Sequence, residues 1–123
     1  MDFSFERLSE YIENKEWDLA KREIDFYKQT EEIGFNDGDL WNLDFTMARF
    51  IYPRLKRFKE EYNVGHPGSL TEEQWADYLE KMVAAFEILA SEDNTCIVTN
   101  EQQDKKIKKG LKLFAKYFRA LWI

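Results

Sequence analysis

Few side chains in this sequence could do chemistry, and their spacing works against most reactions. The chain has one histidine, His66, in the loop N-V-G-H-P-G-S, and one cysteine, Cys96, thirty residues later. Nucleophilic catalysis by such a pair needs a third group to orient the base, and no residue pattern marks one. A structural zinc takes about four Cys, His or carboxylate ligands at short spacing, which one histidine and one cysteine do not provide. Both therefore read as an ordinary loop histidine and a small buried thiol. The stretch D-N-T-C-I-V lacks the glycine and the alternating oxygen ligands of a calcium loop. The acids of G-F-N-D-G-D read as a turn, and no phosphate-cradling glycine motif is present. Glu23, Asp37, Asp39 and Asp44 could converge, but bundles that hold two metals use Glu-x-x-His pairs on facing helices, and this sequence has none. Asp44 falls between Trp41 and Met47 on an apolar surface. It is expected to be a partly buried acid paired with Arg49 or with a base of the last helix. The expectation is no catalytic residue, no cofactor and no metal.

What remains is charge. The net charge is −6, distributed in blocks: −8 over residues 1–45, +3 over 46–62, −6 over 63–100 and +5 over 101–123. One basic cluster is Arg54, Lys56, Arg57 and Lys59. The other is Lys105, Lys106, Lys108, Lys109, Lys112, Lys116 and Arg119. A stripe of this kind can neutralise phosphates, although a nucleic-acid binder of this size is usually basic overall. The acids Glu6, Glu10 and Glu13, then Glu16 and Glu23, then Glu31, Glu32, Asp37 and Asp39, could instead be presented to a basic protein surface. Charge complementarity of that sort speeds encounter. Acidic and basic helices lying side by side would also relieve repulsion within each block.

The elements that must carry these residues are helical. A first segment keeps helical spacing through Phe5, Leu8 and Ile12, with Asp2 or Ser4 as cap. Asn14 could cap a fresh start, after which Trp17, Ala20, Ile24 and Tyr27 continue an apolar row. Gly34 is a stop, and F-N-D-G-D (35–39) a turn. Leu40 to Tyr62 is the longest apolar-periodic stretch, with one row at Leu40, Leu43, Met47, Phe50 and Ile51 and a second at Trp41, Phe45, Ala48, Tyr52, Leu55, Phe58 and Tyr62. It reads as the central helix, kinked or broken at Pro53 because proline removes a donor and clashes with the preceding turn. Thr71 and Gln74 form a capping box inside a Leu70–Trp75 hydrophobic staple, so a helix starts at Glu72. Its row is Trp75, Leu79, Met82, Phe86 and Leu89. Residues 91–100 read as loop. Thr99 or Asn100, with Gln102 or Gln103, then opens a last helix whose row is Ile107, Leu111, Phe114, Phe118 and Leu121. Gly110 weakens that helix unless it permits close helix contact. The fold class is all-α, a single-domain bundle of four to five amphipathic helices over residues 1–123.

The run W-N-L-D-F-T-M-A-R-F-I-Y-P-R-L-K-R-F-K, followed by H-P-G-S-L-T-E-E-Q-W and L-E-K-M-V-A-A-F-E, resembles small uncharacterised proteins encoded in tailed-phage genomes. Trp41, Asp44, Pro53, Leu55, Phe58, Lys59, Pro67, Trp75, Met82 and Phe86 carry the resemblance, which covers roughly the middle half of the chain. It implies an intracellular phage accessory protein and brings no site residues with it.

No run reaches the roughly 20 apolar residues of a membrane span. No basic, apolar leader opens the chain, and a lone cysteine suits a reducing compartment. The expected location is the cytoplasm, that of the host cell if the chain is phage-encoded. With four Trp, six Tyr and ten Phe, aromatics are numerous enough to leave some for an interface. The leading expectation is a non-enzymatic, acidic, helical accessory protein that binds a protein partner, a host or phage factor that handles nucleic acid. The alternative is direct nucleic-acid binding through the lysine-rich last helix and the Arg54–Lys59 cluster. A third is self-assembly through exposed aromatics.

Overall fold

Helix starts and stops follow the capping residues. The computed structural model describes residues 4–62, 65–91 and 99–123. Its regular elements are α1 (Phe5–Glu13), α2 (Trp17–Ile33), α3 (Leu43–Arg57), α4 (Glu72–Leu89) and α5 (Glu101–Tyr117). Single 3-10 turns lie at Asp37–Leu40 and Phe118–Ala120, and a π-type turn at Phe58–Tyr62. The class is all-α with five helices, as the periodicity predicts, and no strand occurs among the described residues. The chain divides into two compact units, Met1–Thr46 and Met47–Ile123, the division falling inside α3.

The first unit is a helical hairpin. Ser4 caps α1, its Oγ accepting the Arg7 N–H at 3.2 Å. Asn14 ends this helix rather than opening the next. Lys15 follows at φ 57°, and the Glu16 N–H donates back to the Tyr11 carbonyl at 2.8 Å. The left-handed residue makes two helices where a single one was equally compatible with the sequence. Glu16 stands at the N-cap of α2 without a side-chain cap bond. Gly34 closes α2 at φ 87°, a conformation that favours a residue without Cβ. Of the expected α2 row Trp17, Ala20, Ile24 and Tyr27, only Ala20 is buried. Glu23 and Phe26 are buried with it, so the helix is turned by about one residue from the expected face. Phe26 meets Trp41 edge-on at 5.9 Å between ring centres, and the Arg22 guanidinium lies 5.2 Å from the Trp41 ring centre.

The second unit is built around α4. The Thr71 hydroxyl accepts the Gln74 N–H at 3.1 Å, and Gln74 Oε1 accepts the Thr71 N–H at 2.9 Å. The capping box and the start at Glu72 are both as predicted, and Leu70 packs against the core. Trp75, Leu79, Met82, Val83, Ala85 and Phe86 are all buried on α4, more than on any other described helix. The predicted central helix, α3, is less central. It runs from Leu43 rather than Leu40 and passes through Pro53 without a break. Leu40, Leu43, Met47 and Phe50 of its first row are exposed. Ala48 and Leu55, both of the second row, are buried in the core cluster with Trp75, Leu79, Met82, Phe86 and Leu113, and Ile51, Tyr52 and Phe58 pack against it half-buried.

Asn100 and Gln103 form a second reciprocal box at the start of α5, at 2.8 and 3.1 Å. The loop expected over 91–100 lies largely outside the described residues. The predicted α5 row is only partly inward: Leu111 and Phe118 are exposed, while Gly110 and Leu113 are buried. The cause is Gly110. A Cβ at this position would lie 2.6 Å from the Lys81 carbonyl oxygen and closer still to the Ala85 Cβ. The missing side chain lets α5 sit directly on the α4 backbone, which turns the helix toward its glycine edge. Gly to Ala within a helix ordinarily stabilises by about 1 kcal/mol. Here overpacking reverses the sign, and Gly110→Ala is expected to destabilise by about 1–3 kcal/mol. Urea unfolding followed by far-ultraviolet circular dichroism measures it, and a stabilised variant would refute the close contact.

Candidate functional site

In the first unit the acidic residues separate into two roles. Glu6, Glu10 and Glu13 recur at helical spacing on one exposed face of α1. None of the three belongs to an ion pair of the described residues. Like charges four apart on a helix repel. Glu31 and Glu32 are exposed in the last turn of α2, where the helix dipole disfavours anions. By contrast, Asp37 and Asp39 serve the turn. The Gln29 amide donates to Asp37 Oδ2 at 2.9 Å, and the Asn36 N–H donates to Asp39 Oδ2 at 3.0 Å. Of the expected acidic contact surface, then, these two are structural.

Glu23 is also not a surface anion. It is fully buried, accepting the Ser4 N–H at 3.2 Å and the Arg7 Nε–H at 3.0 Å. This clamp joins the first turn of α1 to the middle of α2. Asp44, expected to be partly buried, is exposed in the first turn of α3, where the dipole favours an anion.

The same hairpin leaves apolar side chains in the open. Phe5 is 67% exposed and Trp17 62%, and Ile12, Ile24 and Tyr27 are exposed too. Trp17, Ile24 and Tyr27 form one row on α2, which Glu31 continues at helical spacing. Phe5 joins it from α1, its ring centre 5.9 Å from that of Tyr27. Burial of Ala20, Glu23 and Phe26 instead of this row is what leaves it outside.

The two basic clusters differ in the same way. Most of the Arg54–Lys59 cluster is used locally. The Arg54 guanidinium lies 3.7 Å from the Phe50 ring centre and donates to the Phe50 carbonyl at 2.9 Å. Arg57 pairs with Glu61 at 3.0 Å, and Lys59 pairs with Glu80 of α4. Lys56 alone of the four has no such partner among the described residues. On α5, Lys105 makes a long exposed pair with Glu101 at 3.6 Å, while Lys108, Lys109, Lys112 and Lys116 form no ion pair among the described residues.

Three of those lysines border a cleft that the sequence did not disclose. Its volume is about 210 Å³, and Tyr78, Lys109, Lys112, Leu113, Lys116 and Tyr117 line it. Tyr78 and Tyr117 stack at 5.5 Å and 27°, Trp75 meets Tyr117 edge-on at 5.8 Å, and the Lys116 Nζ lies 5.4 Å from the Tyr117 ring centre. The signal for Tyr78 was its place three residues after Trp75. No spacing rule joins it to Tyr117, thirty-nine residues later.

A second hollow of about 210 Å³ is lined by residues that include Phe58, Tyr62, His66, Pro67, Trp75 and Trp122. His66 is exposed, its Nδ1 2.9 Å from the Pro67 carbonyl oxygen. Cys96 lies outside the described residues. Among the described residues no group of three or more His, Cys, Asp or Glu side chains could hold a metal ion, and no helix is long and apolar enough to cross a membrane. No family model, curated protein or solved structure matches this chain.

The clamp sets an order of mutational effects. Removing Arg7 strands a carboxylate with no exposure, whereas Glu23→Gln leaves a neutral amide facing an arginine that is 32% exposed. Arg7→Ala is expected to destabilise the first unit by about 3 kcal/mol, and Glu23→Gln by less. Urea unfolding monitored by tryptophan fluorescence compares them, and the reverse order would contradict the clamp.

Proposed function

We propose that this chain is a non-enzymatic, phage-type accessory protein that binds a protein partner through the acid-rimmed apolar face of its first unit. The single observation that carries this reading is the α1–α2 hairpin surface. There Phe5, Trp17, Ile24 and Tyr27 stand exposed, and Glu6, Glu10 and Glu13 of the same hairpin are exposed with no ion pair among the described residues. Exposed aromatics are expensive to keep in water, and an apolar row bordered by one sign of charge suits an interface. The acids oppose helix stability where they stand, by mutual repulsion on α1 and against the dipole on α2. A basic partner surface would relieve both.

The partner that fits is a protein with a cationic patch around an apolar groove, the kind of patch that also accommodates nucleic acid. A phage origin, and with it the cytoplasm of the host cell, rests on the resemblance of residues 41–87 to tailed-phage proteins.

The test is comparative capture from a bacterial lysate at low and high salt. The wild-type chain is expected to retain a partner that Glu6→Lys/Glu10→Lys/Glu13→Lys and Trp17→Ser each lose. Charge reversal should weaken binding mainly at low salt, since exposed charges are screened beyond about 10 Å at 0.1 M. Identical captures by the wild type and both variants would sink the reading.

A further inference from the structure

We propose that the lysine stripe of α5 and the Tyr78–Tyr117 pair at its edge form a binding site for single-stranded nucleic acid. This site lies in the second unit and does not depend on the protein-partner reading. Lys105, Lys109, Lys112 and Lys116 are spaced four, three and four residues apart, and Lys108 falls between two of them. At 3.6 residues per turn and 1.5 Å per residue they form one face about 16 Å long. All five are exposed, and four of them have no ion pair among the described residues. Successive cations about 4.5–6 Å apart along a straight element can each meet a phosphate of an extended sugar-phosphate backbone.

The aromatic wall sharpens the ligand class. Two tyrosines stacked at 27° bound the same cleft as Lys109, Lys112 and Lys116. Its volume of about 210 Å³ suits one planar base beside its phosphate. Cations that follow a backbone, with rings against which bases stack, are the two components of sequence-tolerant single-strand binding. A duplex keeps its bases inside, so it could use the lysines and not the rings. An acidic peptide would likewise use the lysines alone. The stripe's orientation follows from Gly110, whose close approach to Lys81 and Ala85 seats α5 so that Lys109, Lys112 and Lys116 border Tyr78 at the solvent edge of α4. The chain's net charge of −6 bears on long-range steering. Contact affinity depends on charges within a Debye length, about 10 Å at 0.1 M salt.

The experiment is fluorescence anisotropy of the full-length chain with a labelled 12-nucleotide single-stranded DNA at about 50 mM salt, where phosphate contacts are strongest. The expected result is saturable binding whose log Kd changes with log salt by about 0.7 per phosphate engaged, for three to five phosphates. Lys109→Glu/Lys112→Glu/Lys116→Glu should weaken it at least tenfold with the circular dichroism spectrum unchanged, since all three side chains are exposed. Lys106→Glu, off the stripe, should change it by less than about threefold. Tyr78→Leu should lose about fivefold or more of the affinity, while Tyr78→Phe, which keeps the ring, should retain it. No binding overturns the proposal. Equal losses at Lys106 and on the stripe reduce it to diffuse attraction and overturn the site. A duplex of the same length or a polyglutamate peptide binding as tightly as the single strand overturns the stacking component and with it the ligand class.

Discussion

Gly110 is where α5 rests on α4, and the second unit depends on that contact. Closest approach is set by a missing side chain, since a Cβ there would meet the Lys81 carbonyl and the Ala85 Cβ. Two helices that touch backbone to side chain in this way have little freedom to rotate about their own axes. The face of α5 around Gly110 and Leu113 must go inward, and the lysines on the opposite face must go outward. The same rotation brings Tyr117 between Trp75 and Tyr78 and sets Phe114 against Phe86 at 4.9 Å. Aromatic pairs at these separations contribute about 0.5–1.5 kcal/mol beyond their buried area. The ring column therefore reinforces the register that the glycine permits.

The first unit is organised around a different constraint, a charge removed from water. Glu23 has no exposure, so its stability depends on what it accepts, and Ser4 and Arg7 supply both bonds from the first turn of α1. A buried acid with partners on another helix fixes relative position more sharply than apolar contact does, because displacement strands the charge. With this clamp in place, α2 buries Ala20, Glu23 and Phe26 and leaves Trp17, Ile24 and Tyr27 outside. The exposed apolar row and the buried carboxylate are thus two sides of one helix rotation. The two units differ in charge as well. Residues 1–46 carry a net −8 and residues 47–123 a net +2.

Local chemistry was legible wherever a few neighbouring residues decide the outcome. The boxes at Thr71–Gln74 and Asn100–Gln103 and the stop at Gly34 depend on contacts within one turn, and all are present. Helix faces were legible only where the apolar row was unambiguous, as on α4. On α3 two adjacent rows competed, and the first of them, Leu40, Leu43, Met47 and Phe50, is exposed. On α2 and α5 the expected rows were offset because a glutamate and a glycine, neither of them apolar, occupy core positions. Hydrophobic periodicity has no means of placing a residue whose burial depends on a partner many positions away.

The amino-acid sequence by itself determined the all-α class, most helix boundaries and the segregation of charge, because each of these is fixed by composition and by spacing within about one helical turn. Only the tertiary structure decided which charges are spent on folding and which are left to act. Glu23 and Lys59 found partners on other elements, while Glu6, Glu10, Glu13, Lys108, Lys109, Lys112 and Lys116 form no ion pair among the described residues. The physical reason is that a charge is neutralised by what lies within a few ångströms of it, and that neighbourhood comes from helix rotation and packing rather than from position along the chain.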